Sequence, residues 1–309
     1  MQIEFAALTH PGRVRKNNED AYLLSALDGE EPILNEPERG LEVGPAGFLA
    51  AVADGMGGAA AGEIASREGL AAMNLHLFLH WARFAATDSP ERRLVHVLIG
   101  AVKTASQAVL RYADDDRSSR GMGSTLTTVL LWRRSAYIAQ VGDSRAYLLR
   151  RGELHQITVD QTLVHDMVES GAITAEEART HPQRNMITQA LGSPQPLRVP
   201  VWRADLKRGD KLLVCSDGLH GEVEDEKIRE ILSLDLPPHR SLELLVEAAI
   251  AHGGRDNITG VLLNLEDPML PLALPADPLD IERLQDTFQD ITGEVKVVGK
   301  LKRLFGGGE

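Results

Sequence analysis

Six carboxylates sit in five short turns beside glycine or asparagine: Glu19 and Asp20 after Asn18, Asp54 before Gly55, Asp143 after Gly142, Asp217 before Gly218 and Asp256 before Asn257. Gathered in one place from such distant stretches, they would repel one another and take up protons unless divalent cations held them ionised. The pattern therefore implies a binuclear metal site. An all-oxygen donor set favours hard cations, Mg²⁺ or Mn²⁺, over Zn²⁺. Two such cations about 4 Å apart can bridge a water, lower its pKa and clamp a phosphoryl group, which is hydrolysis without a protein nucleophile. A dianionic phosphate also needs a cationic anchor, and Arg15, four residues before Glu19, can offer it a bidentate fork. Each acidic turn taken singly is ordinary turn chemistry. Their joint placement is not: Asp54, Asp143 and Asp217 each end an apolar run and Asp256 precedes one, so all four can gather at one edge of the sheets.

The elements that must carry these residues can be read around them. Apolar runs bounded by Gly and Asp at 47–53, 124–132, 136–141, 146–149, 211–216 and 258–265 predict strands, and residues 1–9 resemble a first strand. Helical spacing of Ile64, Leu70, Met73, Leu77 and Trp81 predicts a helix over 62–84. Further helices are expected at 90–114, 224–234 and 241–252. The very short connections within 125–157 force antiparallel hairpins. Antiparallel strands with helices outside them imply an α+β fold, a four-layer α-β-β-α sandwich of two mainly antiparallel sheets flanked by helices. Residues 28–44, rich in Glu, Pro and Gly, predict a surface loop. Residues 160–198 predict a helical insertion with short helices at 162–170 and 174–180. After Glu266 the spacing of Pro268, Pro271, Pro275 and Pro278 predicts the end of regular structure. The domain reading is thus a catalytic domain over 1–266, then a proline-rich linker and tail over 267–309, either disordered or a loosely docked helix.

Composition narrows the partners. A chain of 309 residues, 43% hydrophobic, can bury a large core. Its formal charge of −12 opposes binding to nucleic acid or to anionic membrane surfaces. Cys215, the only cysteine, lies in an apolar run, so no internal disulfide or thiolate cluster can form. No charged leader opens the sequence and no apolar run approaches the ~20 residues that span a bilayer, so a soluble, cytoplasmic protein is expected. His76 and His80 share a helix face but lack the glutamate of a zinc-protease motif. Ser124 is not in a Gly-x-Ser-x-Gly elbow, and no glycine-rich nucleotide loop with lysine is present.

The runs Arg15-Lys16-Asn17-Asn18-Glu19-Asp20, Val52-Ala53-Asp54-Gly55-Met56-Gly57-Gly58, Gly123-Ser124-Thr125-Leu126-Thr127, Val141-Gly142-Asp143-Ser144-Arg145, Ser216-Asp217-Gly218 and Asp256-Asn257-Ile258 occur in the order found in the protein phosphatase 2C family, which residues 1–265 resemble. The resemblance implies a metal-dependent phosphatase of phosphoserine and phosphothreonine in proteins, opposing a cognate Ser/Thr kinase. It implies two Mn²⁺ or Mg²⁺ ions: Asp54 bridges them, Glu19 and the Gly55 carbonyl help hold one, and Asp217 and Asp256 hold the other. Asp20 contacts metal-bound water, Asp143 with Asp217 matches a weaker third site of bacterial members, and Arg15 matches the phosphate-binding arginine. The stretch 160–198 is similar to the flap of those members. Met56 stands where eukaryotic members carry a histidine proposed as general acid. Bacterial relatives share the methionine, and the proton donor stays unassigned. A monomer is expected. Two alternatives stand beside the broad enzyme: a pseudophosphatase binding module, whose mark would be a missing ligand carboxylate, and a phosphatase dedicated to one regulatory protein.

Overall fold

The computed structural model describes residues 1–28, 38–57, 61–82, 85, 91–275, 277 and 279–285. Two antiparallel sheets form its centre. The first has the order β3 (Glu38–Glu42), β1 (Gln2–His10), β12 (Ile258–Leu265), β11 (Asp210–Cys215), β8 (Arg145–Arg150) and β9 (Glu153–Gln156). The second runs β13 (Ile281–Leu284), β10 (Val201–Asp205), β7 (Ser135–Val141), β6 (Leu126–Trp132), β4 (Phe48–Met56) and β2 (Asp20–Ala26). The two-residue β5 (Gly123–Ser124) pairs with the end of β4.

Side chains of a strand alternate between its faces, and here the alternation sorts each strand into two cores. On β11, Leu212 and Val214 point between the sheets, where they meet Phe5, Phe48, Val52, Ile138 and Leu263. Leu213 and Cys215 point the other way, against helices α6 (Asp225–Leu232) and α7 (Pro238–Ala251) through Ile228, Leu242 and Leu245. On β4, Leu49, Ala51 and Ala53 face α1 (Ala61–Leu77) and α2 (Glu91–Asp115), packing with Leu70, Met73, Leu98 and Val102. This is the expected α-β-β-α sandwich. Phe5 and Phe48 stack across the two sheets at 5.2 Å. A buried Arg150–Asp210 ion pair at 2.6 Å ties β8 to β11, and Arg150 also donates to the Asp205 carbonyl of β10 in the facing sheet.

Three sequence readings are corrected. The helix expected over 62–84 leaves α geometry after Leu77 and continues as a π-helical turn, Phe78–Ala82; residues 83 and 84 lie outside the described residues. That turn carries Trp81 under the sheet, where its indole N–H donates to the Ala46 carbonyl at 2.9 Å and its ring meets Trp132 edge-on. The loop expected over 28–44 contains β3, a mostly exposed edge strand on β1; its charged composition suits an edge and hides its pairing. The proline-spaced segment does not end regular structure. Arg208 N–H donates to the Pro271 carbonyl, Leu270 is buried, and Ile281–Leu284 forms β13 on the free edge of β10. Residues 286–309 lie outside the described residues.

The remaining helices are short: α3 (Leu163–Glu169) and α4 (Ala175–Thr180) in the insertion, as expected, and α5 (Asp217–His220) directly after β11. Thr174 and Glu177 close a reciprocal capping box that starts α4.

Candidate active site

The acidic residues gather because strand register and turn chemistry put them at one end of both sheets. Asp20 and Asp54 are direct cross-strand partners on β2 and β4, and the Gly55 N–H donates to the Glu19 carbonyl. The end of β4 is fixed from the other side by Thr125, whose hydroxyl accepts from the Asp54 N–H at 2.9 Å and whose own N–H donates to the Asp54 carbonyl. Asp143 sits in the turn between β7 and β8, where Gly142 takes a positive φ of 98° with no room for a side chain beside Thr125. Asp217 follows β11, and Asp256 precedes β12 in the neighbouring position of the same sheet. Close backbone packing seals the assembly: a Cβ on Gly62 would come within 2.7 Å of the Glu19 carboxyl.

These turns surround an open cleft of about 290 Å³ lined by Arg15, Glu19, Asp54, Gly55, Asp143, Asp217 and Asp256. Seven of the eight residues expected at the site thus meet there. Asp20, the eighth, lies behind the lining. It is buried, takes a 2.7 Å hydrogen bond from the Ser216 hydroxyl, and supports the cluster from beneath. Arg15 donates to Asp256 at 2.7 Å through one arm, and its guanidinium is half-exposed in the cleft wall.

The electrostatics are those of crowded carboxylates. Burial pushes the Asp20 carboxyl up to about 7 and that of Asp143 up to about 8, with the Asp217 charge adding to both. Asp54 is driven well above the ordinary range by burial and by Asp20, Asp217 and Asp143, and it shares a hydrogen bond with Asp217. Burial raises Glu19 and Asp217 as well. Among the described residues lining the cleft, Arg15 is the only cationic one, and its own pKa is raised by the bond to Asp256.

This donor set fits hard divalent cations. The lining ligands are all oxygens, and one buried oxygen each of Asp20 and Asp217 has no hydrogen-bond partner. Among the described residues no three His, Cys, Asp or Glu side chains converge as a ready-made cage. Magnesium-like ions do not require one, since they keep several waters and take one or two carboxylates plus substrate oxygens. Carboxylates spread along an open cleft suit a pair of such ions.

Several contributors were not singled out from the sequence. Asn257 accepts from the Glu19 N–H at 2.8 Å and donates to the Pro11 and Asn17 carbonyls, clamping the loop that presents Glu19. Its signal was its place after Asp256 in an Asp-Asn turn. Asn185 and Ile187 of the insertion line the cleft, beside Met56, which the sequence had already marked.

Comparison with known proteins agrees with this geometry. The protein phosphatase 2C family profile matches residues 40–247. The serine/threonine protein phosphatase PstP of Mycobacterium tuberculosis is 37% identical over 265 residues, covering 86% of this chain and 45% of PstP, so the chain spans less than half of that relative's length. The serine/threonine phosphatase stp of Listeria monocytogenes is 32% identical, covering 85% of this chain and 95% of its own. A crystal structure of the PstP catalytic domain with two manganese ions superposes with a TM-score of 0.68 at 35% identity, covering 86% of this chain and all of that one. The two-sheet sandwich is thus the fold of these protein phosphatases. The chain belongs to the protein phosphatase 2C family.

Proposed function

We propose that the protein hydrolyses phosphoserine and phosphothreonine in other proteins with the help of two Mn²⁺ or Mg²⁺ ions. The observation that carries this reading is the meeting of Glu19, Asp54, Asp143, Asp217 and Asp256 with one arginine in a single open cleft. Glu19, Asp54 and the Gly55 carbonyl would hold one cation, Asp54, Asp217 and Asp256 the other, and Asp143 with Asp217 a weaker third. When bound, the ions supply Lewis acidity toward the phosphoryl oxygens and activate the attacking water. Arg15 uses its remaining donors to grip the phosphate, while Asp256 fixes the guanidinium's direction. Asn257 holds the Glu19 loop in place. Met56 lines the cleft without a proton to give, so the leaving oxygen takes its proton from water.

The open cleft admits an extended peptide, whose flanking residues would meet Asn185 and Ile187 of the flap. A Ser/Thr kinase acting on the same proteins is the implied counterpart. Among the described residues no helix is long and apolar enough to cross a membrane. The proposed setting is a monomer in the cytoplasm, without nucleic acid.

The test is turnover of a phosphothreonine peptide with Mn²⁺. Asp54→Asn and Asp217→Asn should each lower kcat/KM by about a thousandfold or more, since each removes charge that holds the ions against the reacting phosphate. Turnover unchanged in either variant refutes the reading.

A further inference from the structure

Arg15 lines the cleft, and its loop places a further cation on either side of it in sequence, Arg13 two residues before and Lys16 directly after. All three residues are exposed. Neither Arg13 nor Lys16 has been given a task so far.

The loop that bears them is held at several points. The Gly12 N–H donates to His10 Nδ1 at 2.9 Å, and Gly12 takes a positive φ of 76°, packed so closely on the Asp256 carbonyl that a Cβ would not fit. The Arg13 N–H donates to the Gly254 carbonyl at 2.7 Å, and its Cγ lies over Gly254, within 3.2 Å of where a Cβ there would stand. From the other side the Asn257 amide bonds to the carbonyls of both Pro11 and Asn17. The chain over 11–17 is therefore an arch tied at both feet to the turn that carries Asp256. Cations on such an arch project from a fixed backbone, which spares a ligand much of the ordering cost that a loose loop imposes.

Their charges are not taken up within the protein. Arg15 gives one arm to Asp256, and the neighbouring Arg255 is held by two hydrogen bonds to Glu222. Among the described residues, no acidic side chain pairs with Arg13 or Lys16. The chain as a whole has a formal charge of −12, so its distant field repels an acidic peptide. A pair of open cations at the mouth of the site reverses that sign locally. The five carboxylates lining the cleft do not oppose it, because two divalent cations would offset four of their charges and Arg15 the fifth.

Resting on the proposed phosphatase reading, we infer that Arg13 and Lys16 are specificity-determining residues that select phosphorylated segments rich in aspartate or glutamate. The phosphoryl group enters the cleft beside Arg15, and carboxylates flanking it in the substrate meet the cations on either side. Exposed charges of this kind act on encounter and on the choice among partners more than on the chemical step.

The experiment uses the full chain with Mn²⁺ and two phosphothreonine peptides, one with aspartates on both sides of the phosphoresidue and a twin with asparagines in their place. The preference is read twice: as the ratio of kcat/KM, and as the ratio of Kd when a hydrolysis-resistant phosphonate replaces the phosphate. The parent should favour the aspartate peptide by about fivefold in both, the scale of two exposed ion pairs. Arg13→Gln with Lys16→Gln should bring both ratios close to one. Arg13→Lys with Lys16→Arg, which keeps the charges, should keep most of the preference. Because each measure is a ratio within one protein, a general loss of activity in a variant does not imitate the effect. Salt of about 0.5 M should also erase the parent's preference by screening, which decides the matter if the glutamine pair fails to fold. A parent that treats the two peptides alike in either measure overturns the inference. So does a glutamine pair with the parent's ratio, a charge-keeping pair that loses it, or a preference that ignores salt. No Mn²⁺-dependent turnover of either phosphopeptide by the parent overturns the proposed function itself, a result distinct from turnover without preference.

Discussion

Asn257 shows how much of this site depends on side chains that hold the backbone around it. It is buried, and its amide satisfies three backbone groups in the loop between β1 and β2. Asn257→Ala leaves the Glu19 N–H and two carbonyls short of partners. Loss of a group that orients a metal ligand typically costs ten- to a hundredfold in affinity or activity. The Mn²⁺ concentration for half-maximal phosphopeptide turnover should rise by about tenfold, with the variant still folded by circular dichroism. At this scale the sequence was most legible where a residue's type alone restricts its use. No acidic turn is telling by itself, but Asp54, Asp143 and Asp217 each end an apolar run and Asp256 precedes one, so the ligand turns were readable only as a set. Asn257 and Asn185 were not, because asparagine is common in every turn and only tertiary contacts give these two a task.

At the scale of elements, the packing of α1 on α2 contains a titratable group whose effect has a definite sign. His76 lies between the helices, with Nδ1 hydrogen-bonded to the Thr104 hydroxyl and its ring against His80. Burial chiefly, with the neighbouring His80 and His96 acting in the same direction, lowers its pKa to about 4. Between about 6.5 and 4 the unfolded chain therefore binds a proton that the native chain refuses, and stability falls as pH falls through that window. His76→Gln should flatten the decline in unfolding midpoint between pH 7 and pH 4.5. An unchanged slope would show that other groups set it. Elements with strong periodicity, such as α2 and β6, were legible from the sequence because their apolar spacing fits one structure only. The exceptions were β2, β3, β10 and β13; the last three are short, and β3 and β13 lie at sheet edges where charged residues face solvent. The π-helical turn escaped because its apolar spacing still reads as α-helix, and only the burial of Trp81 calls for the wider turn.

For the whole molecule, the segment after Glu266 extends the catalytic sheet. Asp267 accepts from the Gln2 N–H at 2.7 Å and lies 3.6 Å from the amino-terminal ammonium, Leu270 is buried, and β13 covers the edge of β10. We therefore draw the catalytic unit to residue 285. A chain ending at 285 should keep the parent's denaturant midpoint. One ending at 266 should lose at least about 2 kcal/mol, the worth of burying Leu270 alone. Equal midpoints would return the boundary to 266.

Strand β1 lies between β3 and β12, so residues 4–10 pair with residues 258–264, about 250 positions away, in the body of a sheet. Glu19 and Asn257 meet only once that pairing exists. During synthesis, then, the cleft cannot assemble until the ribosome has released residue 265 or beyond, and a nascent chain halted between residues 218 and 255 carries every acidic turn but that of Asp256 without the pairing that closes the cleft. Such late closure of contacts far apart in sequence also makes folding slow. The cleft therefore stays unassembled until residues 258–265 have been made.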